Sequence, residues 1–208
     1  MRVSALKKDR FRLARRAAAV LVAAFAVAAC GGAANYPDVP DVAKAQGAWC
    51  DALAKSEGQG PGWEHMNDCR GASPAASPAY LRGISKCFFE RVDEARQSGD
   101  PAAADRSLLL SECNEKVLTE LPITSAGVDE LVDARCNRAV RCEKVDFAEC
   151  KAAMKRLEPS QQAMFTTRYN GGALHEIAGC LGGSCGDNEE EAQSACYKKA
   201  EDRLLWFP

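Results

Sequence analysis

The chain has 208 residues, with 27 Lys and Arg against 29 Asp and Glu, two histidines and eleven cysteines. Its net charge of −2 argues against a nucleic-acid partner, whose phosphates require a basic surface. Two histidines leave little material for acid–base or metal chemistry, and the cysteine content points to an oxidising compartment.

The first thirty residues differ from the rest. Arg2, Lys7, Lys8, Arg10, Arg12, Arg15 and Arg16 form a basic start relieved only by Asp9, and Ala17 to Ala29 is an unbroken apolar run of thirteen. As a helix that run reaches about 20 Å, short of a hydrocarbon core of about 30 Å, so it reads as a secretory signal rather than a span. The run closes on Val27-Ala28-Ala29-Cys30, which resembles the lipobox of bacterial lipoproteins. The resemblance covers only the export signal. It implies cleavage before Cys30, a diacylglyceryl group on the Cys30 sulfur and acylation of the new amine; two or more chains anchor stably where one does not. Gly31 in place of an aspartate implies sorting to the outer membrane. Arg15-Arg16 lacks the residues that flank a twin-arginine signal, so general secretion is the expected route.

Cleavage leaves 179 residues. Lys and Arg fall from 27 to 20 and Asp and Glu from 29 to 28, so the charge moves from −2 to −8. Such a surface does not favour anionic lipid heads, which leaves the lipid itself as the expected membrane contact.

Residues 30–41 (CGGAANYPDVPD) are small, polar and twice interrupted by proline, and read as a lipidated tether. Beyond them alanine is plentiful and β-branched residues scarce, so an all-α fold is expected, in two halves over 42–122 and 123–208. Ser77-Pro78 is a cap followed by proline at the first helical position. Leu81, Ile84, Phe88 and Val92 then share a face, and Gly99 stops the helix. Asp100-Pro101 predicts the next start, with Leu109, Leu110, Cys113 and Val117 as its stripe and Pro122 beyond its end. In the second half, Val128, Leu131, Val132, Cys136, Ala139 and Val140 mark a helix. Asp146 to Glu149 reads as a capping box for another that ends before Pro159. Asn170-Gly171-Gly172 predicts a break before a helix carrying Leu174, Ile177, Ala178 and Leu181, which Gly182-Gly183 ends. Asp187 or Asn188 caps a last helix, with Glu189, Glu190 and Glu191 in its first turn and Ala192, Cys196, Ala200 and Leu204 on its face.

With Cys30 consumed by lipid, ten cysteines remain, an even number that implies a disulfide framework. Metal or redox chemistry would call for close spacing such as C-x-x-C, and c-type haem for C-x-x-C-H; neither occurs. Cys87 and Cys113 stand thirteen residues either side of Asp100, at one height on facing helices. Axes 8–10 Å apart bring their Cα atoms to roughly 4–6 Å, within disulfide range. The halves also read as a degenerate repeat, in which Cys50, Cys69, Cys87 and Cys113 correspond to Cys136, Cys150, Cys180 and Cys196. Cys142 and Cys185 are then the extras of the second half, available to each other. Ten cysteines admit about 945 connectivities, so the rest stay open. The whole resembles uncharacterised cysteine-rich helical lipoproteins of high-GC Gram-negative bacteria, a resemblance that implies no activity.

Gly182-Gly183-Ser184-Cys185-Gly186 matches the G-x-S-x-G nucleophile elbow, but a helical pattern precedes it and no histidine follows, so it is expected to be a helix terminus. His175-Glu176 lacks the second histidine of H-E-x-x-H, and the glutamates at 189–191 lack the spacing of a calcium loop. Trp63, in a glycine-rich loop beside His65, is expected to plug the first helix near Cys50. Trp206-Phe207-Pro208 is either a second plug or an exposed contact patch. No catalytic, cofactor or metal site is therefore expected. The expected function is a membrane-anchored envelope lipoprotein, non-enzymatic, serving a protein or cell-wall partner; the alternative is a small-molecule carrier with a pocket between helices.

Overall fold

A computed structural model describes residues 39–72, 74–99, 105–121 and 127–208. The export signal, Cys30, most of the tether, and the Asp100-Pro101 and Pro122 signals lie outside them. The described residues form nine helices: α1 (Val39–Ser56), α2 (Met66–Gly71), α3 (Pro78–Ser98), α4 (Arg106–Glu120), α5 (Val128–Cys142), α6 (Phe147–Lys155), α7 (Pro159–Phe165), α8 (Gly171–Leu181) and α9 (Glu189–Glu201). Among these residues there is no strand, only an isolated antiparallel bridge between Ala76 and Tyr169. The fold is all-α, with five disulfides stapling it.

Local chemistry sets the helix ends. Ser77 caps α3, its hydroxyl accepting from the Tyr80 amide at 3.1 Å with Pro78 inside the first turn, and Gly99 closes it in the left-handed conformation at φ 68°. Leu81, Ile84, Phe88 and Val92 are all buried. α1 begins at Val39, inside the segment expected to be tether. Pro40 falls in the first turn, where its missing N–H costs nothing, and Asp41 meets the positive end of the dipole. α4 begins at Arg106, because the Asp105 carboxylate accepts from the amides of Ser107 and Leu108. Asn170, Gly171 and Gly172 start α8 rather than break the chain before it: Asn170 is the cap and both glycines are helical. The two short helices α2 and α7 carry no stripe long enough to announce them.

The five bridges are Cys50–Cys69, Cys87–Cys113, Cys136–Cys150, Cys142–Cys185 and Cys180–Cys196. Cys87 and Cys113 have Cα atoms 5.6 Å apart, and closing their 26-residue separation stabilises by roughly 3.5 kcal/mol on chain-entropy grounds. Gly83 allows the close approach of α3 and α4, since a Cβ there would meet the Val117 side chain at 2.9 Å.

These staples repeat. In the first half α1 is bonded to α2 and α3 to α4, and α1 packs on α3. In the second half α5 is bonded to α6 and α8 to α9, and α5 packs on α8. Cys87 lies ten residues after the cap Ser77, and Cys180 ten after the cap Asn170. In that register buried Leu81, Ile84 and Phe88 match buried Leu174, Ile177 and Leu181. α7 has no counterpart and packs against α4.

The halves join where α3 and α8 begin. Ser77 donates its amide to the Arg168 carbonyl at 2.7 Å, and Asn170 donates its amide to the Ala75 carbonyl at 2.8 Å. Under the repeat correspondence each bond becomes the other, so the junction has a local two-fold. Asn170 works twice: its Oδ1 accepts from the Ala173 amide at 2.9 Å, while its Nδ2 donates to the Pro74 carbonyl at 2.7 Å.

Candidate functional site

A cluster of aromatic side chains lies under residues 204–207. This segment leaves α9 and lies on the first half's core, where Leu204, Leu205, Trp206 and Phe207 all pack. The fully buried Trp49 donates Nε1–H to the Trp206 carbonyl at 2.8 Å. Trp63 meets Trp206 edge-on at 5.8 Å between centroids, Phe207 lies 6.2 Å from Phe88, and the Arg106 guanidinium sits 5.1 Å over the Phe207 ring. Of the two readings open for Trp206 and Phe207, the structure selects the plug, and Trp63 is likewise a core residue, in the same cluster as Cys50. His65 stands edge-on to Trp63 at 5.4 Å.

Beside this seat, Ser56, Val92, Ala95, Arg96, Arg106 and Leu109 line a depression of about 170 Å³. Its cations are already engaged. Arg96 donates to the Ser56 carbonyl, and Arg106 donates to Glu57 Oε1 at 2.9 Å and Ser56 Oγ at 3.1 Å.

The second half holds a buried cation that its sequence does not announce. Arg138, 2% exposed, donates Nε–H to Glu189 Oε2 at 2.8 Å and Nη2–H to the Ser184 carbonyl at 3.1 Å. Glu189 Oε1 also accepts from the Gly186 amide at 2.6 Å. The guanidinium of Arg138, with desolvation opposing it, holds this carboxylate below its usual range. The core face of α5 differs from the expected one: Arg138 is buried, Val140 is 40% exposed, and Val128 and Val132 are only partly buried. The cysteines of 142 and 185 and the carboxylate of Glu189 offer three ligand atoms within 4.8 Å of one another. Both sulfurs are spent in a disulfide, however, and the carboxylate is held by Arg138.

Three tyrosines gather near the junction. Tyr80 donates to Asn114 Oδ1 at 2.6 Å, and Arg168 donates to both the Tyr169 hydroxyl and Glu201 Oε1 at 2.6 Å. Burial pushes the Tyr80 and Tyr169 phenols up to about 12, and that of Tyr197 upward too. These groups stay protonated near neutrality and serve as packing with a polar tip.

The remaining sequence candidates are dispersed. Ser184 follows a helix, is exposed and lends its carbonyl to Arg138, which is not the strand-to-helix setting of a nucleophile elbow. His175 pairs its Nδ1 with Glu130 at 2.7 Å on the surface. Glu189 to Glu191 occupy the first turn of α9, capped by Asn188. No helix among the described residues is long and apolar enough to cross a membrane. The chain matches no family model, no curated protein and no solved structure.

Proposed function

We propose that the chain is a lipid-anchored envelope protein that presents a rigid, doubled helical domain to a protein or cell-wall partner, without chemistry of its own. One observation carries the reading. The ten cysteines after Cys30 join into five bridges, which leaves Cys30, at the end of a lipobox-like run, as the odd one out. Bridges at this density suit an extracytoplasmic compartment and a domain that must hold its shape. The depression beside Arg106, about 170 Å³, supports the small-molecule alternative less well, because ligand sites typically hold roughly 300–1,000 Å³.

Cys30→Ser tests the anchor. Acyl labelling should vanish and the protein should move from the membrane fraction to the soluble fraction. Membrane retention after this change would refute the lipid anchor. Capture of one recurrent envelope protein or wall polymer on the purified domain supports the partner; a defined turnover by that domain refutes the non-enzymatic role.

A further inference from the structure

The five bridges are not equally protected. In four of them at least one half-cystine is buried: both in Cys50–Cys69 and Cys87–Cys113, then Cys136 and Cys196 in the other two. In Cys142–Cys185 neither is; Cys142 is half-buried and Cys185 exposed. This bridge is also the one without a counterpart in the first half, which folds the same four-helix arrangement without it. The link it makes is between distant parts of the chain, 43 residues apart, tying the end of α5 to the segment 182–188.

That segment has no buried side chain to hold it. Every residue from 182 to 188 is exposed, so no apolar burial fixes it to the core. Its other ties are polar and mostly at its two ends: the amides of Gly182 and Gly183 donate to the carbonyls of Ala178, Gly179 and Cys180, Arg141 donates to the Gly182 and Gly183 carbonyls, and Asn188 caps α9, while between them Arg138 donates to the Ser184 carbonyl and the Gly186 amide to Glu189. A segment with few buried contacts opens at low free-energy cost. We infer that Cys142–Cys185 is a redox modification site, a latch opened by a dithiol reductant while the four other bridges stay closed.

The exchange balances. A thiolate of the reductant attacks one sulfur of the bridge, a mixed disulfide forms, and the other cysteine leaves as thiolate. The reductant's second thiol then displaces the remaining cysteine. Two electrons pass to the bridge, Cys142 and Cys185 end as thiols, and the dithiol ends as a disulfide. Opening frees the segment 182–188 and lets water reach Arg138, while the helices below remain stapled. Cys180–Cys196 is the nearest rival, because Cys180 is exposed. Cys196, however, sits in the second core with Tyr197 and Ala200, so opening there loosens packed helices.

Brief treatment of the unreduced protein with limiting dithiothreitol, followed by iodoacetamide and peptide mapping, tests the latch. Cys142 and Cys185 should be alkylated together at least about tenfold faster than any other pair. Amide exchange should rise across 182–188 and stay unchanged in α3 and α8. A Cys142→Ser/Cys185→Ser variant should keep its helix content and lose the fast-labelled fraction. Labelling of Cys180 and Cys196 first, or of all ten cysteines in one step, would overturn the inference. So would a variant that fails to fold, since the bridge would then belong to the scaffold.

Discussion

The two halves solve one packing problem with different materials. The first fills the space between its helices with bulk: Trp49, Tyr80, Phe88 and Trp63 are buried there, over two bridges whose cysteines are all buried. The second builds its core from the aliphatic Leu131, Leu174, Ile177 and Leu181 with Tyr169 and Tyr197 beside them, has no buried tryptophan, and adds the Arg138–Glu189 pair and an additional bridge. Counting from Cys50 and Cys136, Ala52 and Arg138 hold the same place, and both are buried. A shared framework of staples thus tolerates an alanine or an arginine at one position, provided that the arginine meets a carboxylate and carbonyls. The extra bridge stands where the second half relies on an exposed loop instead of the long run of α3.

The contrast can be broken most forcefully at Trp49. Trp49→Ala should cost about 3–5 kcal/mol, from the lost ring and the orphaned Trp206 carbonyl. Chemical denaturation should show the loss, with residues 204–207 released in amide exchange. A cost under about 1 kcal/mol would mean that aromatic bulk does not hold the first half.

A smaller effect compares the matched caps. Ser77→Ala removes one bond to an amide and should cost about 1 kcal/mol. Asn170→Ala removes the same kind of bond and also the donor to the Pro74 carbonyl, so roughly 2–3 kcal/mol is expected. Equal costs would show that the junction adds nothing beyond capping.

The smallest effect is a matter of pH. Glu189 has its folded pKa lowered, first by the hydrogen bond from Arg138. Its contribution is therefore complete above the ordinary carboxylate range and fades as pH falls through the lowered value. Melting curves from neutral pH downward should lose stability in that window, and Glu189→Gln should lose less. If both proteins follow one curve, the pair does not secure the second half.

Much of this was legible in the sequence. Ser77-Pro78, Gly99 and the stripe between them define α3 because cap, proline and left-handed glycine act locally. The Cys87–Cys113 pairing follows from hairpin geometry even though α4 begins at Arg106, since a disulfide depends on where the helices face each other and not on where one starts. Arg138 was invisible for the opposite reason. An arginine on an amphipathic helix reads as surface, and only the carbonyls of Leu181 and Ser184 and the carboxylate of Glu189, brought to it from 43, 46 and 51 residues away, make burial tolerable. The seat of Trp206 on Trp49 spans 157 residues and had no local signature. α7 was missed because seven residues give too short a pattern, although Glu158 and Gln161 form a capping box at its start.

The exchange of hydrogen bonds at Ser77 and Asn170 also limits how far such a chain can grow. Contacts made between equivalent residues are self-complementary: they use the same donor and acceptor on each side and are saturated once two units have met. Head-to-tail stacking, by contrast, leaves a fresh edge after every unit and builds an open array of any length. A third repeat would find the amides of residues 77 and 170 and the carbonyls of 75 and 168 already taken. Doubling at this edge is therefore a closed operation, and the two-unit body can carry separate surfaces on its two ends without inviting polymerisation through its own seam.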